Sequence, residues 1–436
     1  VKSIHGLLGN RFLPLGCVLI AVALTLPALD SGLVGDDYFH RMVLLDPGEW
    51  GARMSPTSDL FSFVPDGQRQ VMTDLGILPW WSDPNLRTAF ARPLTALSHQ
   101  VDSALWPDNF RSQHVHSLVW FGLSVGLVAL LFRSVHGRAA SAGLAGLFFA
   151  VEDSHALPAG WLANRNALIC LVGGTVVILS HLAWRKTGRS SYLVAALATL
   201  AVALGAGEAT LGALACIAAW QLTSEEKPWP LRLTPLLPYG VVVVVWRLLY
   251  GWGKYGTQNS ALYIDPGRQP LDFLIAMPER WLLLVTAQWF QAPVDAYVFL
   301  SRTQQWGAAA LAALLVAGLV LLLRDLARRE RLARFWLLGM GLSIVPVCAS
   351  FPMERLLTFA GIGAFGALTL LLEDLGVWLW QRPPGQTAQW RRRAAMLLLV
   401  LHLPVAAILL IGRTAIIEGY GDFFRKASSR APVVQK

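Results

Sequence analysis

Charge is what this 436-residue chain has least of. Asp, Glu, Lys and Arg make up 14% of it, against 55% hydrophobic residues, and the mean hydropathy is +0.50. A soluble globular chain carries about 25% charged residues. So large a deficit excludes a water-exposed surface and leaves an integral membrane protein. Cysteine is also sparse. Cys17, Cys170, Cys216 and Cys348 all lie inside apolar runs. None pairs convincingly with another or forms a CxxC metal motif, and they read as small core residues. No internal repeat and no HExxH spacing are present. The length leaves no room for a large soluble enzyme domain beside a membrane part. A single membrane domain over 1–436 is therefore expected, with no soluble C-terminal domain after Arg413.

What the chain has instead is apolar runs. A transmembrane helix needs about 20 mostly apolar residues. Candidates are 12–29, 114–133, 139–151, 161–184, 191–206, 207–222, 233–251, 306–323, 335–350, 355–380 and 394–412. The expected fold is an all-α integral membrane protein with about 11 transmembrane helices, within a range of about 10–13. Spans 139–151 and 191–206 are short and need tilting, local thinning or shelter by neighbours. The first run follows Lys2 and Arg11, and "LPALD" is a poor cleavage site, so it reads as an uncleaved helix. The 18 tryptophans suit interfacial belts.

The net charge of +9 sits in short loops between apolar runs. With a cytoplasmic N-terminus, the inner loops hold Arg133 and Arg138, then Arg185, Lys186 and Arg189, then Lys227 and Arg232. Arg324, Arg328, Arg329, Arg331 and Arg334 follow, then Arg382 and Arg391 to Arg393. This is a positive-inside pattern, and it accounts for the basic excess without a nucleic-acid partner. It requires 252–305 to be a second outer loop. There "ERWLLLVTAQWFQ", 279–291, reads as an interfacial or re-entrant helix carrying Trp281 and Trp289.

The first outer loop, 30–113, is the longest polar segment. Eleven acids against six bases leave it at −5. A structureless loop of this length would be unusual, so helices and function are expected in it. "RPLTALSHQVDSALW" spaces Leu94, Leu97, Val101 and Leu105 as an amphipathic helix along the membrane surface.

This topology gathers the suspicious polar residues on the outer face. "LVGDDYFHRMV" places Asp36, Asp37 and His40 just past the first helix, and Arg92 and His99 lie further along the same loop. Glu152, Asp153, His155, Arg165 and Asn166 follow the 139–151 run, Glu208 sits at another outer junction, and Glu354 and Arg355 open a later helix. Ionisable residues at membrane depth are costly and usually face a cavity or a partner. A shared polar cleft is the economical reading. His40, His99, His114 and His116 lack tight metal-ligand spacing and read as interfacial hydrogen-bonding groups. Arg355 reads as an anion clamp in preference to a snorkelling residue.

A carboxylate pair, several arginines and apolar helices suit a lipid-linked phosphate substrate. Arginine holds phosphate bidentately. A carboxylate takes the proton from an acceptor hydroxyl as it attacks the anomeric carbon of a sugar. The phosphate leaves already charged, so that side needs no general acid. No cofactor is required. A divalent metal is the alternative, and Asp36 and Asp37 would hold it.

At these residues the sequence resembles the GT-C superfamily of membrane glycosyltransferases, which use polyprenyl-phosphate sugars. Within it, the chain is most similar to the protein O-mannosyltransferase-like branch, including the membrane part of TMTC-type proteins. "GDDYFH" matches the family's acidic pair in type and place, and "RPLTALSHQVDSALWPDNFRSQHVHSL" matches the motif after it. "GWLANRNALI" keeps the Trp161-to-Arg165 spacing, Glu208 answers a later acid, and "MERLLTFAGIGAF" brings in Glu354 and Arg355. The resemblance runs over about 12–370. It implies a base role for Asp36 or Asp37, phosphate contacts from an arginine such as Arg355, with Arg92 and Arg165 as further candidates, and an active site on the outer face; the expected setting is the extracytoplasmic side of a bacterial inner membrane. The partners it implies are a polyprenyl-phosphate-linked sugar, a protein, lipid or glycan acceptor, and membrane lipids.

The chain departs from the family at two places. Glu152 and Asp153 stand where the family has His-Pro, with His155 three positions late, and "RLLTF" lacks the late tyrosines. Two other function classes compete: a flippase or transporter of lipid-linked sugars, and an inactive GT-C-like lipid-binding scaffold. The first would show inverted repeats and broken helices, and no repeat is found. The departure at Glu152 and Asp153 favours the second. Of the acidic pair, Asp36 is the favoured base, with Asp37 as its orienting partner or a ligand for the acceptor.

Overall fold

The structure is a computed structural model that describes residues 2–45, 54–74, 76–224, 228–377 and 389–429. Asp46, Glu49 and Arg53 of the first outer loop, and the loop bases Lys227 and Arg382, lie outside the described residues.

All eleven apolar segments contain helix. Among the described residues, five helical stretches are long and apolar enough to cross a membrane: Phe110–Val135, Leu162–Thr187, Trp229–Trp252, Arg302–Arg329 and Gln389–Ala427. The other helices are shorter. Leu13–Leu24 has 12 residues, Ala139–Val151 has 13, Leu211–Ser224 has 14, Ser190–Leu204 has 15, and Arg331–Val347 and Thr358–Asp374 have 17 each. Helices of that size reach about 18–26 Å, less than the ~30 Å hydrocarbon layer.

Two of the short helices form the middle of the bundle. Thr358–Asp374 and Ala139–Val151 are buried along most of their length. Small residues make this packing close. A Cβ at Gly363 or Gly366 would strike Trp336, and one at Gly174 or Gly212 would strike the Phe359 ring.

The fold departs from an all-α chain. The 30–113 segment holds helices Asp36–Leu45, Arg69–Asp74 and Pro93–Leu105. It also supplies two strands, β1 (Ser62–Val64) and β2 (Arg87–Ala89), and the 252–305 segment supplies β3 (Gly256–Gln258). The sheet is antiparallel in the order β1-β2-β3, with Thr88 opposite Thr257. Strands of three residues are too short to leave an alternating pattern in the sequence. A further bridge joins Tyr263 to Ser350, so the 30–113, 252–305 and 349–351 segments are tied together.

The Pro93–Leu105 helix is amphipathic in an inverted sense. Thr95, Ser98, His99 and Asp102 are buried, while Leu97, Val101 and Leu105 are 52%, 40% and 61% exposed. An apolar stripe turned outward from a buried polar face suits a lipid surface.

In the 252–305 segment the helix spans Pro270–Phe290 and starts nine residues earlier than the apolar run at 279 suggests. Leu271, Leu274 and Ile275 are exposed on its first half, while residues from Leu283 to Trp289 are buried among the other helices.

Candidate active site

The acidic pair is placed by a sharp turn. After the first helix and the Leu26–Asp30 turn, Gly32 and Gly35 take left-handed φ of 65° and 53°. Glycine adopts that region without the steric penalty other residues meet. His114 Nε2 lies 2.8 Å from Gly32 O and pins the bend. A helix then starts at Asp36 itself, and consecutive residues there project in different directions.

The two aspartates consequently have different surroundings. Asp37 is 3% exposed, and its carboxylate accepts from Val34 N at 2.9 Å and Ala163 N at 2.7 Å. Burial pushes its carboxyl up to about 7, against the opposing pull of those two donors. Asp36 lines a cavity of about 530 Å³. Burial raises its carboxyl above the usual range, while Arg355 and then Arg92 pull it down.

Among the described residues, three carboxylates and three guanidiniums line this cavity: Asp36, Glu208 and Asp265, with Arg92, Arg247 and Arg355. Two of each are already matched. Glu208 Oε2 accepts from Arg92 Nε at 3.2 Å and Nη2 at 3.0 Å, and its Oε1 accepts from the Tyr250 hydroxyl at 2.8 Å. Arg92 also lies over the Phe61 and Phe90 rings. Asp265 accepts from Arg247 Nη2 at 2.8 and 3.1 Å and from Gly267 N at 2.9 Å.

Asp36 and Arg355 remain. Among the described residues, neither makes an ion pair, and no donor reaches the Asp36 carboxylate. Arg355 lies over the Trp161 ring, 5.3 Å from its centre, and its Nη1 donates to Asn164 Oδ1 at 3.2 Å. Asn164 also lines the cavity, and its buried Nδ2 has no partner. With Oδ1 accepting from Arg355, Nδ2 is a spare donor beside that cation.

One turn, Trp161 to Arg165, organises much of this. Trp161 Nε1 donates to Val34 O at 2.9 Å, and its ring carries Arg355. Ala163 N holds Asp37, and Asn164 meets Arg355. Arg165 turns away into the protein. It is fully buried, 2.5 Å from Asp102 Oδ2, and it donates to Ser117 Oγ, Ser98 Oγ and Gln113 O. His116 Nδ1 meets the other Asp102 oxygen at 2.6 Å. Arg165 is not among the cavity-lining residues, and each of its three guanidinium nitrogens already has a partner inside the protein.

His40 and His99 form a separate buried group, with ring centres 5.4 Å apart and Phe61 against both. Burial lowers His40 to about 3 and His99 well below its ordinary value, so both are neutral rings. They border a small cavity of about 30 Å³ that also meets Asp37. Among the described residues, no three His, Cys, Asp or Glu side chains are arranged to hold a metal ion.

Glu152, Asp153, His155 and Glu354 lie away from the large cavity. Glu152 accepts from Gln288 at 3.2 Å and lies 3.6 Å from His402 Nδ1. Asp153 accepts from Gln291 at 3.3 Å and pairs with Arg413 Nε at 3.1 Å, and Glu354 pairs with Arg413. Burial and the neighbouring Glu152 push the Asp153 carboxyl up to about 6. His155 packs edge-on and tilted against Phe121 and Phe149. The departure from the family pattern at Glu152 and Asp153 thus falls in a buried cluster outside the cavity wall.

Trp161 had a place in a sequence motif but no site role, and the sequence pattern singled out none of Asn164, Arg247, Tyr250, Asp265 and Arg413. Arg247 and Tyr250 had a legible signal: they are three residues apart in an otherwise apolar run and so share a helix face.

No family model matches the chain, and no curated protein matches it. Among solved structures it is similar to the archaeal oligosaccharyltransferase AglB from Archaeoglobus fulgidus, a structure in complex with an inhibitory peptide and a dolichol-phosphate. The identity is 12% and the TM-score 0.44, over 93% of this chain and 56% of that one. The chain therefore spans little more than half the length of that protein.

Proposed function

We propose that this membrane protein is a glycosyltransferase that moves a sugar from a polyprenyl-phosphate donor to an acceptor hydroxyl, with Asp36 as general base. The observation that carries the reading is the unmatched pair. Asp36 and Arg355 face one cavity in which the other charged side chains are already neutralised.

In the proposed step, the acceptor oxygen attacks the anomeric carbon and its proton passes to Asp36. The bond from that carbon to the phosphate oxygen breaks, and its electron pair leaves with the phosphate. Inversion follows from a single displacement. Arg355 and the spare Asn164 N–H meet the charge that grows on the leaving phosphate. One unpaired guanidinium matches the single charge of a phosphodiester better than the higher charge of a diphosphate. The apolar wall of the cavity, including Val243, Trp246 and Phe273, offers the lipid chain a path toward the bilayer. Arg92, Glu208 and Tyr250 act as a fixed wall beside the sugar. Arg165 acts indirectly, by fixing the turn that carries Asn164.

The proposed setting is a bacterial inner membrane. The N-terminus is cytoplasmic, about eleven segments cross, and the cavity lies on the extracytoplasmic side. The acceptor is a hydroxyl on a protein, lipid or glycan. Membranes containing the full chain, supplied with radiolabelled polyprenyl-phosphate sugars, test the reading. Transfer is expected from the native chain and should fall by about 10²–10⁴-fold with Asp36→Asn. Absence of transfer, or undiminished transfer by Asp36→Asn, would overturn it.

A further inference from the structure

Behind Arg355 lies a buried group with far more negative than positive charge. Glu354 and Arg355 are neighbours in one short turn, Glu354–Leu356. Arg355 faces the cavity, while Glu354, 5% exposed, points the other way and pairs with Arg413 of the Ala406–Ser429 helix. Arg413 also holds Asp153 at 3.1 Å. The backbone N–H of Glu354 donates to Asp295 at 2.8 Å. Glu152 stands next to Asp153, beside His402 and Gln288. Four carboxylates thus lie in one cluster, and Arg413 pairs with two of them.

Asp295 is the shared element. Burial pushes its carboxyl up, and two cations pull it back, Arg413 first and Arg355 second. A buried carboxylate that loses its cation is strongly destabilised unless it finds another or takes a proton. The nearby cation without a carboxylate partner is Arg355. We propose that Arg413 is a positioning residue: by occupying Glu354, Asp153 and the field of Asp295, it keeps Arg355 free of protein carboxylates and turned toward the cavity. Arg413 does not line the cavity, so it acts only through the turn. The inference rests on the reading that Arg355 holds the donor phosphate.

The test uses the full chain in nanodiscs and farnesyl phosphate as the probe, with binding and thermal unfolding both recorded. Arg355→Gln sets the scale of losing the clamp. Arg413→Gln should weaken binding by about 10–100-fold, the equivalent of one charge-assisted contact. Adding Asp295→Asn to it should recover most of that loss, because the competing carboxylate is gone. A merely structural arginine would give no such recovery.

Should Arg413→Gln fail to fold, Arg413→Lys replaces it. Lysine keeps the charge but not the fork, and the same recovery by Asp295→Asn is expected from a smaller initial loss. Unchanged binding in the folded Arg413 variant, or a double variant no better than the single, overturns the inference while Arg355→Gln still shows the clamp. If the native chain does not bind farnesyl phosphate, or Arg355→Gln binds as well as the native chain, the glycosyltransferase reading itself falls, and the role of Arg413 falls with it.

Discussion

The backbone N–H of Ala163 donates to Asp37 across 2.7 Å and 126 positions of sequence. That bond locks the start of the Asp36–Leu45 helix onto the turn that carries Trp161 and Asn164. It also separates the roles of two adjacent acids. Asp37 ties loops together, and Asp36 is left facing the cavity. Asp36→Asn should leave the melting temperature close to native and remove transfer. Asp37→Asn keeps an acceptor for one N–H but turns an amide toward the other. It should cost about 1–3 kcal/mol of stability, with partial loss of transfer. Melting curves and transfer rates for the two variants side by side check this. Equal loss of stability in both would contradict the division of labour.

The raised carboxyls give a pH signature. Asp36 works ionised, and burial holds its carboxyl above the usual range against Arg355 and Arg92. The rate should therefore fall as pH drops through a value above the ordinary ~3.9 of an aspartate. Arg355→Gln should move that limb further up, since it removes a charge that lowers it.

Asp37 acts on stability instead. Its folded value of about 7 lies above its unfolded one, so folding takes up a proton. Its contribution is complete below about pH 4 and is lost as pH rises through about 7. Melting temperatures measured across that window should show the decline, and Asp37→Asn should remove that part of the slope. An unchanged slope would count against it.

Arg165 supplies a contrast between binding and folding. Its partners are Asp102, two serines and a backbone carbonyl, all buried. Arg165→Met leaves buried Asp102 with the His116 ring as its remaining partner and no permanent cation, and should cost about 3–5 kcal/mol. The yield of folded protein should drop sharply. Asp102→Asn combined with Arg165→Met should restore part of the stability, because the orphaned charge is removed. A folded, stable Arg165→Met that loses only phosphate binding would instead return Arg165 to the cavity.

Arg165 also shows where sequence reading runs out. The apolar runs were legible because bilayer helices write long, uninterrupted patterns. Asp36 and Arg355 were legible because charge at a membrane boundary is conspicuous. Direction was not legible. Asn164 and Arg165 are neighbours, yet one turns to the cavity and the other into the protein, and only the packed turn decides which. Arg247 and Tyr250 disappear into "VVVVVWRLLYGW" when the run is scored for hydropathy alone. The sheet stayed hidden because its strands have three residues each and β2 and β3, more than 150 residues apart, pair only once the bundle holds their two loops together.

The charge count in the cavity yields a last prediction. Arg92 is held by Glu208, which in turn takes the Tyr250 hydroxyl. Glu208→Gln keeps the shape and a hydrogen bond to Tyr250 but releases the Arg92 charge. The cavity then offers two unmatched guanidiniums instead of one. Binding of a prenyl diphosphate should tighten relative to the monophosphate, by about tenfold if one charge-assisted contact is gained. Tyr250→Phe removes a neutral donor without freeing Arg92 and should leave that ratio near its native value. Competition between farnesyl phosphate and farnesyl diphosphate on the native chain and both variants measures it. A ratio that Glu208→Gln leaves unchanged would mean that Arg92 does not face the phosphate, and that the anion is read by Arg355 alone.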